Sequence, residues 1–215
     1  MHWFTALGDS ITAGEAATSP SKAYPALTAT LLSQTGHPTS GHVLAEPGWT
    51  SASLAAAVLD NPPDPLAQSA SVIIWVGGDD LAYAGLRLLQ GAPRTVVAAS
   101  LRTYALHVSV LCRYIHQVSQ ARIFLCTQYN PFPNSPPAVE AISALNQVTA
   151  TVAHRAKAGL VPVHTWFAGR EQELIAHYRT GRLEDVLTTA NLPIHPNNTG
   201  HRVIAQHLAY ILRQG

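Results

Sequence analysis

The chain has 215 residues, with 13 Lys and Arg against 12 Asp and Glu, for a formal net charge of +1. That length suits a single domain over residues 1–215 whose core needs no disulfide or metal staples, and the even charge argues against nucleic acid or anionic lipid as its main partner. Only 12% of residues are charged and 47% are hydrophobic, a balance that excludes a disordered tail, while the 11 histidines forecast pH dependence between about pH 5 and 7.

Short apolar runs alternate with longer helical patterns. Strands are predicted at Trp3–Leu7, His42–Ala45, Ser71–Val76, Arg122–Thr127 and Leu160–His164, and helices over about 22–35, 50–59, 94–119, 137–158, 167–179 and 198–213. Strands separated by helices make βαβ units, hence a parallel sheet covered on both faces. Ile73-Ile74-Trp75-Val76 and Ile123-Phe124-Leu125-Cys126 are continuously apolar, as central strands are. The two cysteines, Cys112 and Cys126, form neither a disulfide framework nor a zinc set and read as buried thiols. No apolar run approaches the roughly 20 residues that cross a bilayer, so no stable membrane association is expected. The first residues read as a strand rather than a charged leader, so the expected location is cytoplasmic, with secretion of a processed form left open.

In such a sheet ligands bind beyond the carboxyl ends of the strands. Those ends carry Gly8-Asp9-Ser10-Ile11-Thr12-Ala13-Gly14, Gly77-Gly78-Asp79-Asp80, the Tyr129–Pro137 loop and, near the C-terminus, Ile194-His195-Pro196-Asn197. A serine on a glycine-bracketed turn is held open to the cleft, but its hydroxyl is a poor nucleophile until a base takes its proton. His195, between Pro193 and Pro196, is the candidate base. Helix capping is the plainer reading of either residue alone.

These segments, with Gly48 between them, resemble the four blocks of the SGNH hydrolases, also called the GDSL family of esterases and lipases. The resemblance runs from the first strand to the last helix. It implies a flavodoxin-like three-layer α/β/α sandwich with a parallel sheet of about five strands, and an acyl-ester hydrolase acting on a small-molecule ester. Ser10 would be the nucleophile and lend its N–H to the oxyanion, Gly48 would lend a second N–H, and His195 would be the general base. Asp9 would brace the serine turn.

The chain departs from the family pattern at three places. Asp79 stands where an asparagine amide donates to the oxyanion, and an ionised carboxylate has no donor. Either Asp79 is protonated in the working enzyme, as a desolvated carboxyl beside Asp80 could be, or the hole runs on two backbone donors. Leu192 stands where an aspartate three residues before the histidine fixes the imidazole. A Ser10–His195 dyad with a backbone carbonyl orienting the ring is therefore expected, with Asn191 or Asp185 as alternative acids. Glu46 replaces an asparagine that is common two residues before Gly48.

Trp49, Asp80, Tyr129, Asn130 and Phe132 are candidates to contact substrate. Thr12, Gly14 and Glu15 share the serine turn without an assigned role, and His201 reads as a helix residue. No His/Cys/Asp cluster has zinc-ligand spacing, so neither metal nor cofactor is expected. A flavin-binding module is the rival on fold grounds, but it would leave His195-Pro196-Asn197 unexplained. A catalytically impaired ligand-binding relative is the rival that Asp79 and Leu192 favour.

Overall fold

Five parallel strands, β1 (His2–Gly8), β2 (Thr39–Ala45), β3 (Ser71–Trp75), β4 (Arg122–Cys126) and β5 (Gly159–Val161), form one sheet in the order β2-β1-β3-β4-β5. This computed structural model describes residues 2–34, 36, 38–188 and 190–214. Thr35, the end of a predicted helix, lies outside the described residues.

Alternation along each strand sends side chains to two separate cores. Leu7, Val72, Ile74, Ile123 and Leu125 face helices α3 (Ser51–Asp60), α6 (Thr95–Val118) and α7 (Pro136–Ala156) through Leu54, Val58, Leu111, Ile115 and Leu145. Phe4, Ala6, Ile73, Trp75, Phe124 and Cys126 face α2 (Tyr24–Ser33), α8 (Val163–Phe167) and α10 (Asn198–Arg213) through Tyr24, Phe167, Ile204 and Leu208. The result is the expected three-layer α/β/α sandwich. Short helices α1 (Ser10–Ala13), α4 (Asp64–Ala67) and α9 (Glu171–Leu174) fill the connections, and α5 (Gly78–Leu89) packs on α6.

One long helix lies where none was predicted, and two predicted elements differ from those found. Helix α5 is the unpredicted one. Its start is fixed by Gly77, whose φ of +124° suits glycine and whose added Cβ would press on Tyr104 and Leu145. The last strand stops at Val161, because Pro162 ends pairing and opens α8. A continuous helix over 167–179 is replaced by α8, α9 and a strand-like bridge from Ile175 to Pro196. Helix α6 also corrects the expectation about apolar runs, being long and apolar enough, by length and composition, to cross a membrane. Here it lies on the sheet with Leu101, Tyr104, Val108, Leu111 and Ile115 buried.

Candidate active site

The chain leaves β1 for β2 on one side and returns to β3 on the other, so a crevice opens beyond the carboxyl ends of β1 and β3. Ser10 enters it from β1 and Asp79 from β3. At the elbow the backbone must pass close to its neighbours: a Cβ on Gly8 would overlap the Trp75 carbonyl and the Thr12 hydroxyl. Asp9 caps α1, accepting the Ile11 N–H at 3.1 Å, and so sets Ser10 as the first helical residue, whose N–H has no intrahelical partner.

His195 arrives from the far end of the chain. Its carbonyl accepts the Ala176 N–H at 2.9 Å, Pro196 pairs with Ile175, and the Asn197 N–H donates to the Leu174 carbonyl at 2.9 Å. Asn197 then caps α10 through the Thr199 and Gly200 N–H groups. Held so, His195 places Nε2 2.9 Å from the Ser10 Oγ, within reach of proton transfer. Burial lowers the His195 pKa below its ordinary value and the nearby Glu15 carboxylate opposes that, so the ring is neutral and basic at neutral pH.

Carboxyl groups crowd this edge. Burial, then Asp80, then Glu15 push the Asp79 carboxyl up to about 6, against the pull of the α5 N-terminus, which favours a carboxylate. Full burial and the neighbouring Asp79 push Asp9 up to about 8. Gly48, at φ +81°, sits on an exposed turn three residues beyond the end of β2, beside the end of β1.

Other candidates are placed differently. Asp80 is buried and accepts the Ser51 N–H at 2.8 Å and the Ser51 hydroxyl at 2.6 Å. It faces the start of α3 rather than the cleft, so it ties the Gly48 turn to α5 instead of meeting substrate. Tyr129 is fully buried, stacked on Phe167 with ring centroids 4.2 Å apart, and its hydroxyl donates to the Ile194 carbonyl. It braces the histidine loop. Asn130 accepts the Phe132 N–H at 2.9 Å and shapes its own loop, and Phe132 is buried. Trp49 is half-buried against the α3 and α6 core.

Of the candidate acids on the histidine side, Asp185 is spoken for. Asp185 accepts the Thr180 N–H and hydroxyl at 2.9 and 2.7 Å and the Gly181 N–H at 2.9 Å, and Leu192 is 44% exposed. Among the described residues no group bonds Nδ1 of His195. The residue that sequence reasoning passed over is Glu15, whose Oε2 lies 3.1 Å from Nε2. His201 is also more than a helix residue. It is fully buried, accepts the Tyr24 N–H on Nδ1 at 3.2 Å and donates from Nε2 to the Glu15 carbonyl at 3.3 Å. Among the described residues no group of His, Cys, Asp and Glu is arranged to hold a metal ion.

The GDSL-like Lipase/Acylhydrolase family matches residues 6–203, and the chain belongs to it. The fold is similar to that of the lipase Lip_vut3 from a goat rumen metagenome, with a TM-score of 0.80 at 20% identity over 98% of this chain and 97% of that one. It is also similar to the psychrotrophic esterase EstA from Pseudoalteromonas sp., with a TM-score of 0.68 at 16% identity over 100% and 98%. A third likeness is to an acetylxylan esterase from Geobacillus stearothermophilus, with a TM-score of 0.72 at 16% identity over 98% and 94%. No curated protein sequence matches the chain.

Proposed function

We propose that the protein is a serine ester hydrolase that cleaves small neutral carboxylic esters through an acyl-enzyme on Ser10, with His195 as general base. The observation that carries this reading is the 2.9 Å contact between Ser10 Oγ and His195 Nε2 at the topological switch of the sheet. The Ser10 oxygen attacks the acyl carbon as Nε2 takes its proton, and the carbonyl electron pair moves to the oxygen. Collapse expels the alcohol, which leaves with the proton from Nε2. Water repeats the sequence on the acyl-enzyme and frees the acid.

The oxyanion would meet the N–H groups of Ser10 and Gly48 and, when protonated, the Asp79 hydroxyl. A carboxyl held at about 6 is protonated in a useful fraction of molecules on the acid side of neutral, and burial that lowers the His195 pKa extends the neutral ring in the same direction. The polar strand-end loops carry no cation cluster for a phosphate head group. That supports small neutral esters or acetylated sugars as substrates.

Hydrolysis of p-nitrophenyl acetate, butyrate and octanoate from about pH 4 to 9, with an alkalinised stopped readout, tests the proposal. Wild type should turn over the short esters, and Ser10→Ala should lose at least a hundredfold, since the nucleophile is gone. Equal rates in both proteins at every pH would overturn it and leave the ligand-binding reading.

A further inference from the structure

The His195 ring meets a carboxylate, and it does so on the unexpected side. Nε2 lies 2.9 Å from Ser10 Oγ and 3.1 Å from Glu15 Oε2, so nucleophile and acid address the same nitrogen. Glu15 is held in place through its backbone. Its N–H donates to the Ser10 carbonyl at 2.9 Å and its carbonyl accepts from His201 Nε2 at 3.3 Å. That acceptance is fixed by chemistry: the Tyr24 N–H can only donate, so His201 Nδ1 accepts and the ring proton sits on Nε2. The Glu15 side chain itself is 47% exposed and reaches over the ring from the turn after α1.

We propose that Glu15 is the carboxylate partner of His195, acting on the ring nitrogen that takes the Ser10 proton in place of an acid on Nδ1. The proposal rests on the esterase reading above. Glu15 takes up no proton in either transfer. It sets a negative charge beside the imidazolium that exists between them, and so it is a positioning residue for the base. There is a cost in the resting enzyme, because a carboxylate at Nε2 favours the neutral tautomer protonated there, which cannot accept from Ser10. The gain is larger, since a hydrogen bond from a charged donor is about twice as strong as one from a neutral donor. The groups that face the ring are Glu15 and, from α10, His201; Asp79 acts from α5 on Glu15.

An acid on Nδ1 would leave the opposite tautomer, which gives the test its signature. Nitrogen NMR of the His195 ring and the pH profile of kcat/KM should be compared in wild type, Glu15→Gln and Glu15→Asp. Glutamine keeps the shape without the charge at an exposed position and should leave folding intact. We expect the His195 ring to titrate at lower pH in Glu15→Gln than in wild type, because the negative charge beside the imidazolium is gone, with the tautomer reporting which nitrogen the carboxylate addresses. The acid limb of kcat/KM should move to lower pH, and its plateau should fall about three- to tenfold, as for a half-exposed ion pair. Glu15→Asp should lie between. An unchanged titration and tautomer, or a plateau equal to or above wild type, would overturn the proposal. Absence of Ser10-dependent turnover would instead sink the esterase reading, while the ring titration and tautomer still report on the pair.

Discussion

At the scale of single residues, the proposed donor role of Asp79 makes a prediction about pH. Where family members offer an amide, this chain offers a carboxyl whose donor exists only in the protonated form. Its pKa is raised to about 6, so at pH 8 only about one molecule in a hundred carries the proton. The rate should therefore peak on the acid side of neutral and fall by roughly a hundredfold toward pH 8 if the third donor is needed. Asp79→Asn should hold its rate through pH 8 and exceed wild type there, which a pH series of kcat/KM would read. A variant profile superimposable on wild type would remove the donor role. Ser10 and Asp79 could be placed at strand ends from the sequence, and His195 on the loop before the last helix. Glu15 was not legible, since its contact depends on a residue 180 positions away and on a turn whose direction no local pattern sets. Tyr129 misled for another reason: a loop tyrosine reads the same whether its hydroxyl faces a ligand or, as here, a buried carbonyl.

At the scale of elements, His201 links three of them. From α10 it accepts the first N–H of α2 and donates to the turn after α1, and burial lowers its pKa from 6.5 to about 4. A second proton would have to sit on Nδ1, facing the Tyr24 N–H. The unfolded chain binds that proton below about pH 6.5 and the folded chain only near 4, so stability falls as pH drops across that window. The loss from this residue is at most about 3 kcal/mol. His201→Asn keeps an acceptor but does not titrate. Its urea midpoint should be lower than wild type at pH 7.5 and should change less between pH 6.5 and 4.5; equal slopes would count against the account. Elements with strong period were read well, α6 and α10 above all. Helix α5 was missed although Asp79 and Asp80 in its first turn are an N-terminal signal, because the block they belong to reads as loop. The 167–179 segment kept helical composition yet broke into pieces, since Ile175 and Ala176 were needed as backbone partners for the histidine loop.

The whole molecule is two cores divided by one sheet, and each core carries one cysteine. Cys112 lies on the α6 side and Cys126 on the α10 side, both buried, with burial pushing the Cys112 thiol up to about 11 and Cys126 higher still. Neither is a thiolate at neutral pH, so a disulfide reagent such as Ellman's should label neither in the native state. In urea both should become reactive in one transition if the two layers melt together, and in two if they do not. Rapid native labelling of either cysteine would contradict the packing described here. The sandwich itself followed from the alternation of apolar strands and helices. Strand order did not, because nothing in a strand's own residues says which neighbour it will pair with.

Ser10 and His195 are separated by 185 positions along the chain. The elbow that presents the serine is local and can form as soon as β1 and α1 exist. Its base is delivered only when the bridge to Ile175 closes and α10 docks against α2. Turnover thus reports on completion, not on progress: a chain with an intact sheet and a detached last helix would keep its elbow and be inert. The change in tryptophan fluorescence as Trp166 stacks on His207 of α10 should therefore coincide with the return of activity during refolding.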